Sequence, residues 1–190
     1  MESESPRKTG IDLGFSPEEK KLLHELAYLA IRCRCLGEPM PDIAAGSEKL
    51  EKPRGAFVCI HKDGELRGCI GMIEPREPLR DTIRKMAVEA AFKDPRFCAV
   101  APDELDKIDI EISVLTPLEL IDDPSEIEIG LHGLYVRRGF HAGLLLPQVA
   151  VEHEWDRKQF LDWTCAKAGL PKGAWKEPDV EVYVFSADVF

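Results

Sequence analysis

Two strand-like runs, Ala56-Phe57-Val58-Cys59-Ile60 and Leu66-Arg67-Gly68-Cys69-Ile70, stand either side of Lys62-Asp63-Gly64-Glu65. An Asp-Gly pair in that position is the strongest short-range signal for a β-hairpin, because the tight turn that suits two twisted strands needs residues at positive φ. The segments downstream of the hairpin narrow the fold. Pro78 opens a helix that runs through Phe92, with Leu79, Ile83, Met86, Ala87 and Ala90 facing inward, and Asp94-Pro95 stops it. Ile108, Ile110, Ile112 and Val114 then alternate with Asp109, Glu111, Ser113 and Leu115, the pattern of a strand with one apolar face. The same order recurs in the second half. Leu134-Tyr135-Val136-Arg137-Arg138 and Gly143-Leu144-Leu145-Leu146 flank a Gly-Phe-His-Ala turn, residues 155–168 read as a helix closed by Gly169, and residues 180–185 supply a strand. Neither copy closes a core alone. The expected fold is therefore α+β, a largely antiparallel sheet with packed helices built on a duplicated strand–strand–helix–strand unit. It forms a single domain over 1–190, with halves at about 55–116 and 131–190 joined through 117–130. Ahead of it, Ser16, Pro17 and Glu19 spell a helix start with a capping box, Gly37 ends that helix, and residues 1–14 read as a flexible lead-in.

Composition excludes several classes of function. The 190 residues are 44% hydrophobic and 32% charged, an ordinary globular mixture. A net charge of −10 argues against a general phosphate-backbone binder, so nucleic acid is an unlikely partner. No apolar run approaches the roughly 20 residues that span a bilayer, and the opening MESESPRKTGID lacks the apolar core of a secretory signal. The expected setting is cytoplasmic, away from membranes, with the cysteines at 33, 35, 59, 69, 98 and 165 all reduced.

Arg67-Gly68-Cys69-Ile70-Gly71 carries the most chemistry. In an unbroken strand Arg67 and Cys69 point to one side, where a guanidinium favours the thiolate. A two-residue turn pairs Gly68 with Cys59 and Cys69 with Val58, so Cys69 shares a face with Val58, Ile60 and Arg67. Two readings stand together: a reactive thiol, or a small buried hydrophobe in a glycine-kinked strand. Gly68 and Gly71 are candidate binding positions, since a strand accepts glycine where backbone, bulge or ligand comes close. Glu111 and Ser113 lie on the polar side of their strand, as acid/base and hydrogen-bond donor or as a solvated face. His132 sits in a glycine-bounded loop, as a base or as a structural histidine. Gln148 and Glu152, within residues 146–156, are further binding candidates. Glu152 and Asp156 are one helical turn apart, although a surface helix start explains these acids better. No HExxH, zinc-spaced Cys/His pair, GxGxxG, Walker loop or GxSxG occurs, so neither metal nor cofactor is expected.

Taken in order, Leu66-Arg67-Gly68-Cys69-Ile70-Gly71, Asp94-Pro95-Arg96-Phe97, Glu111-Ile112-Ser113-Val114-Leu115, His132-Gly133-Leu134, Leu146-Pro147-Gln148-Val149-Ala150, Trp155-Asp156, Lys167-Ala168-Gly169-Leu170 and Ala174-Trp175 resemble an AMMECR domain of the prokaryotic type. Met72 departs from the family, where a small or polar residue often comes after the glycine. The resemblance implies an α+β protein with a larger and a smaller lobe, and a cleft holding the RGCIG segment. It also implies partners of the Memo family and of the radical-SAM class, with no activity firmly attached to the domain. The resulting expectation is a cleft that binds a small molecule or peptide. Cys69 would be the reactive thiol, Arg67 its tuner, and Glu111 and His132 the proton-transfer groups. The alternative is a non-catalytic adaptor or interaction module, with a nucleic-acid-associated factor third and disfavoured by the net charge, and the sequence leaves the choice between enzyme and adaptor open.

Overall fold

The capping box at Ser16 forms as its letters require. Ser16 Oγ accepts the Glu19 N–H at 3.2 Å, and Glu19 Oε2 accepts the Ser16 N–H at 2.8 Å. Helix α1 (Pro17–Leu36) comes next, buries Leu23, Leu26, Ala27, Ala30 and Ile31, and ends at Gly37 in the left-handed conformation. The computed structural model describes residues 9–43 and 46–190. Residues 1–8 of the expected lead-in lie outside the described residues. The rest of it is tied down: the Gly10, Ile11 and Leu13 N–H groups donate to Gly130 O, Ala187 O and Asp188 Oδ2.

By contact the chain divides into two compact units. An N-terminal unit comprises Gly14–Leu115 with Val189–Phe190, and a C-terminal unit comprises Thr116–Asp188 with residues 9–13. The fold is α+β with antiparallel pairing, as expected, but the strands form two sheets rather than one.

In the N-terminal unit, β1 (Ala56–Lys62) lies between β2 (Glu65–Met72) and β3 (Ile108–Leu115), and Phe190 exchanges backbone hydrogen bonds with Ile112. Asp63 and Gly64 have φ of 54° and 81°, the two-residue turn that an Asp-Gly pair favours. Lys62 faces Glu65 and His61 faces Leu66, but Ile60 then faces Gly68. Arg67 is the extra residue of a β-bulge. This corrects the expected register: Cys69 stands opposite Cys59, and Ile70 opposite Val58. Helix α2 (Leu79–Phe92) packs on β1 and β2 and buries Leu79, Ile83, Met86, Ala87 and Ala90. Val58, Ile60, Ile112 and Val114 are buried as well.

The C-terminal unit contains β4 (Glu119–Ile121), β5 (Gly133–Arg138), β6 (His141–Leu145), α3 (Pro147–Glu152), α4 (Arg157–Lys167) and β7 (Glu181–Phe185), with strand order β4-β7-β5-β6. Its hairpin turn is Gly139-Phe140 alone, since Arg138 pairs with His141, so the expected four-residue turn is two residues shorter. The expected helix over 155–168 starts two residues later, because Asp156 caps it by accepting the Gln159 N–H at 2.7 Å. β4 lies in the stretch read as a joint; three residues are too few to show an alternating pattern. Both units centre on the first hairpin strand, with its hairpin partner on one side and the post-helix strand on the other: β2-β1-β3 and β6-β5-β7. Each second hairpin strand has a glycine where the following helix ends. A Cβ on Gly68 would collide with the Ala90 carbonyl of α2, and one on Gly143 with the Lys167–Ala168 backbone of α4.

Candidate functional site

One face of the β2-β1-β3 sheet collects much of the chemistry. Alternation places Val58, Ile60 and Lys62 toward the helices and Phe57, Cys59 and His61 on the other side. In register, Cys69, Cys59 and Glu111 form one row across three strands, and Gly71, Phe57 and Ser113 form the next. Cys59 and Cys69 are joined as a disulfide, with Cα atoms 4.1 Å apart. The expectation of six reduced cysteines is corrected accordingly, while Cys33, Cys35, Cys98 and Cys165 are free thiols. Cys59 is buried and Cys69 half-buried on the outer strand. Ser113 is 1% exposed, and its Oγ has no hydrogen-bond partner among the described residues. The Phe57 ring occupies the space a Cβ on Gly71 would fill, so this glycine, like Gly68, has a packing reason to be there.

The bulge also redirects Arg67. Its side chain joins Lys62 at Glu104, on the helix side of the sheet, instead of accompanying Cys69. Arg67 Nε and Nη2 donate to Glu104 at 3.1 and 2.9 Å, its Nη1 donates to Cys98 O at 2.7 Å, and its Nη2 also reaches Ala99 O at 3.3 Å. Lys62 Nζ donates to Glu104 Oε1 at 2.9 Å. Hydrogen bonds from Arg67, and then from the Ala101 N–H, hold the Glu104 carboxyl down at about 2 against the burial that would raise it. The guanidinium is committed to that carboxylate and to the Cys98 and Ala99 carbonyls, on the helix side of the sheet.

The segment after α2 finishes the outer strand. Asp94 Oδ2 accepts the Cys69 N–H at 2.9 Å, and Arg96 Nη2 donates to Cys69 O at 3.3 Å. Arg96 also grips Asp94 through Nε at 2.9 Å and Nη2 at 2.7 Å. The Arg96 hydrogen bonds, joined by those from the Cys69 and Arg96 N–H groups, hold the Asp94 carboxyl well below the usual carboxylate range despite its burial. Two side chains thus take the place of a neighbouring strand at Cys69. Cys59, Asp94, Arg96 and Glu104 are absent from the sequence-based site, although a glycine directly after Arg67 in a strand is itself a signal for a bulge.

The remaining candidates belong to the C-terminal unit. His132 Nδ1 accepts the Glu128 N–H at 3.2 Å and the His132 N–H donates to Glu128 O at 2.9 Å, so the imidazole closes its own loop. Gln148 is half-buried in the first turn of α3, and Glu152 is exposed at the end of that helix. Glu152 and Asp156 lie on separate elements rather than one turn apart. Beside them His153 stacks on Trp155 at 4.7 Å, Trp155 on Trp163 at 5.5 Å, and Lys172 Nζ sits 3.6 Å from the Trp163 ring centre.

Among the described residues, no three His, Cys, Asp or Glu side chains gather as a metal-ligand set, and no helix is long and apolar enough to cross a membrane. A family model described as AMMECR1 matches residues 24–190. A protein of Methanothermobacter thermautotrophicus is 44% identical over 188 residues, which cover 92% of this chain and 95% of that one. Protein MK0488 of Methanopyrus kandleri is 51% identical over 154 residues, 76% of this chain and 74% of its own. The solved structure of the uncharacterized protein PH0010 from Pyrococcus horikoshii superposes with a TM-score of 0.88 at 39% identity, covering 92% of each chain.

Proposed function

The chain belongs to the AMMECR1 family, and on that premise we propose that it is a ligand-binding module whose reactive element is the Cys59–Cys69 pair. Its ligand is a small molecule or peptide bearing thiols. The observation that carries this reading is the direct opposition of Cys59 and Cys69 in one row with Glu111. Thiol–disulfide exchange balances without a further reagent. A ligand thiolate attacks the Sγ of Cys69, the less buried residue of the two. A ligand–Cys69 bond forms as the Cys59–Cys69 bond breaks, and Cys59 leaves as a thiolate. Glu111 stands opposite Cys59, and we assign it the proton that this thiolate takes up. A second ligand thiol then displaces Cys69. Two ligand thiols become one disulfide, and the pair gains two electrons and two protons. In the adaptor reading, Cys59–Cys69 is a fixed staple, and a Memo-family or radical-SAM partner binds with no exchange.

Glutathione separates the two readings. Reduced wild-type protein mixed with glutathione disulfide should close the Cys59–Cys69 bond and keep no adduct at either position, because each thiol resolves the other's mixed disulfide. Cys59→Ser should instead trap glutathione on Cys69, seen by peptide mass mapping. A lasting adduct on wild-type Cys69, or a Cys69 in Cys59→Ser that reacts no faster than exposed Cys98, rules the exchange reading out.

A further inference from the structure

The C-terminal unit holds a cavity whose lining includes no cysteine. The cavity, of about 360 Å³, opens beside β4, walled by Leu120, Ile121, Leu161, Trp175 and Pro178. That volume is at the small end of the roughly 300–1,000 Å³ of ligand pockets. Its polar residues are of nearly one sign: Asp122, Glu177 and Glu181 against Lys176. Glu181 is occupied, accepting from Arg137 Nε at 2.8 Å. Asp122 and Glu177 have no ion-pair partner among the described residues and are exposed at the rim.

The indole is held at its edge. Trp175 Nε1 donates to Asp162 Oδ1 at 2.9 Å, and Lys158 Nζ donates to Asp162 Oδ2 at 2.8 Å. With its edge pinned, the ring is fixed against the cavity. Its face already attracts a cation, since Lys176 Nζ stands 5.0 Å from the ring centre, within the roughly 6 Å over which an aromatic face draws positive charge. An apolar floor, an indole face and two unneutralised carboxylates are the recognition elements for a cation on a hydrophobic body. An anion meets repulsion here from the rim and from a chain of net charge −10.

We propose that this cavity binds a small organic cation, an ammonium group carried on an apolar stem or ring. The chemistry fits a free amine and a lysine side chain of a partner alike, and the test distinguishes the two.

The probe is 2-phenylethylammonium, with 2-phenylethanol as its neutral counterpart, added to the full chain while the three tryptophan indole N–H resonances are monitored by NMR. Trp175→Phe identifies the Trp175 signal. The ammonium should move the Trp175 resonance saturably and leave those of Trp155 and Trp163 in place. The alcohol should bind about fivefold more weakly or worse, and the double variant Asp122→Asn, Glu177→Gln should weaken the ammonium by about three- to tenfold, with the remaining difference shrinking as salt rises. Both substitutions are at exposed positions, so folding is not at stake. An acetylated, amidated lysine peptide is the second arm. Tighter binding than the free amine assigns the cation to a partner chain, and weaker binding assigns it to a small molecule. Absence of saturable movement at Trp175, equal binding of the alcohol, or indifference to the double variant overturns the proposal.

Discussion

Replacing Glu104 with Gln tests the arrangement that takes Arg67 away from Cys69. Glu104 gathers Arg67, Lys62 and the Ala101 N–H, and Gln keeps the shape while giving up the charge and one acceptor. The Glu104 and Arg67 side chains are 11% and 16% exposed, so solvent screens little of this pair. The gap between the ordinary carboxyl value of 4.5 and about 2 corresponds to about 3 kcal/mol at neutral pH, an upper figure because Gln can still accept one hydrogen bond. The folded carboxyl has the lowered pKa. Its contribution is therefore complete above about pH 4.5 and disappears as pH falls toward 2, leaving about 1.4 kcal/mol at pH 3. Urea unfolding of wild type and Glu104→Gln should show a difference of up to about 3 kcal/mol at pH 7, or about 6–12 °C in Tm for a chain of this size, and less than half of that at pH 3. A difference under about 0.5 kcal/mol at pH 7, or one that does not change with pH, refutes the reasoning.

Two more residues of the same sheet can be tested in this way. Gly68→Ala should cost about 1–3 kcal/mol in urea unfolding, since its Cβ meets the Ala90 backbone and α2 must shift to admit it. Arg67→Met should destabilise the fold but leave the pH at which reduced Cys69 begins to alkylate unchanged, measured by mass spectrometry. A clear rise in that pH restores Arg67 as the neighbour of the thiol.

Much of the fold is written in local chemistry. Ser16, Pro17, Glu19 and Gly37 bound α1, and Asp63-Gly64 makes its turn, because each of these depends on residues a few positions apart. Periodicity likewise marks α2 and β3, whose apolar faces meet the core. The Cys59–Cys69 pairing is not local in this sense. Strict alternation from the turn puts Cys59 opposite Gly68, and the single extra residue at Arg67 moves every later partner by one and turns Arg67 to the helix side. The same shift explains why Cys69 and Arg67 read as neighbours in the sequence and part in the structure. Glu104 and Asp94 are invisible as partners for another reason. Each acts across at least 25 positions, on Arg67 and on the Cys69 N–H, and no spacing rule reaches that far. Glu152 and Asp156 mark the opposite failure, where a helical spacing suggests a shared face and the cap at Asp156 divides it.

The most direct test of the account is a redox titration of the Cys59–Cys69 pair in wild-type protein. After equilibration in glutathione buffers of graded composition, the sample is acid-quenched and its free thiols are alkylated and mapped by mass. The account predicts that Cys59 and Cys69 lose alkylation together along one two-electron curve, while Cys33, Cys35, Cys98 and Cys165 enter no disulfide within the protein. A Cys69 that remains alkylatable at every composition, or that pairs with any cysteine other than Cys59, contradicts it.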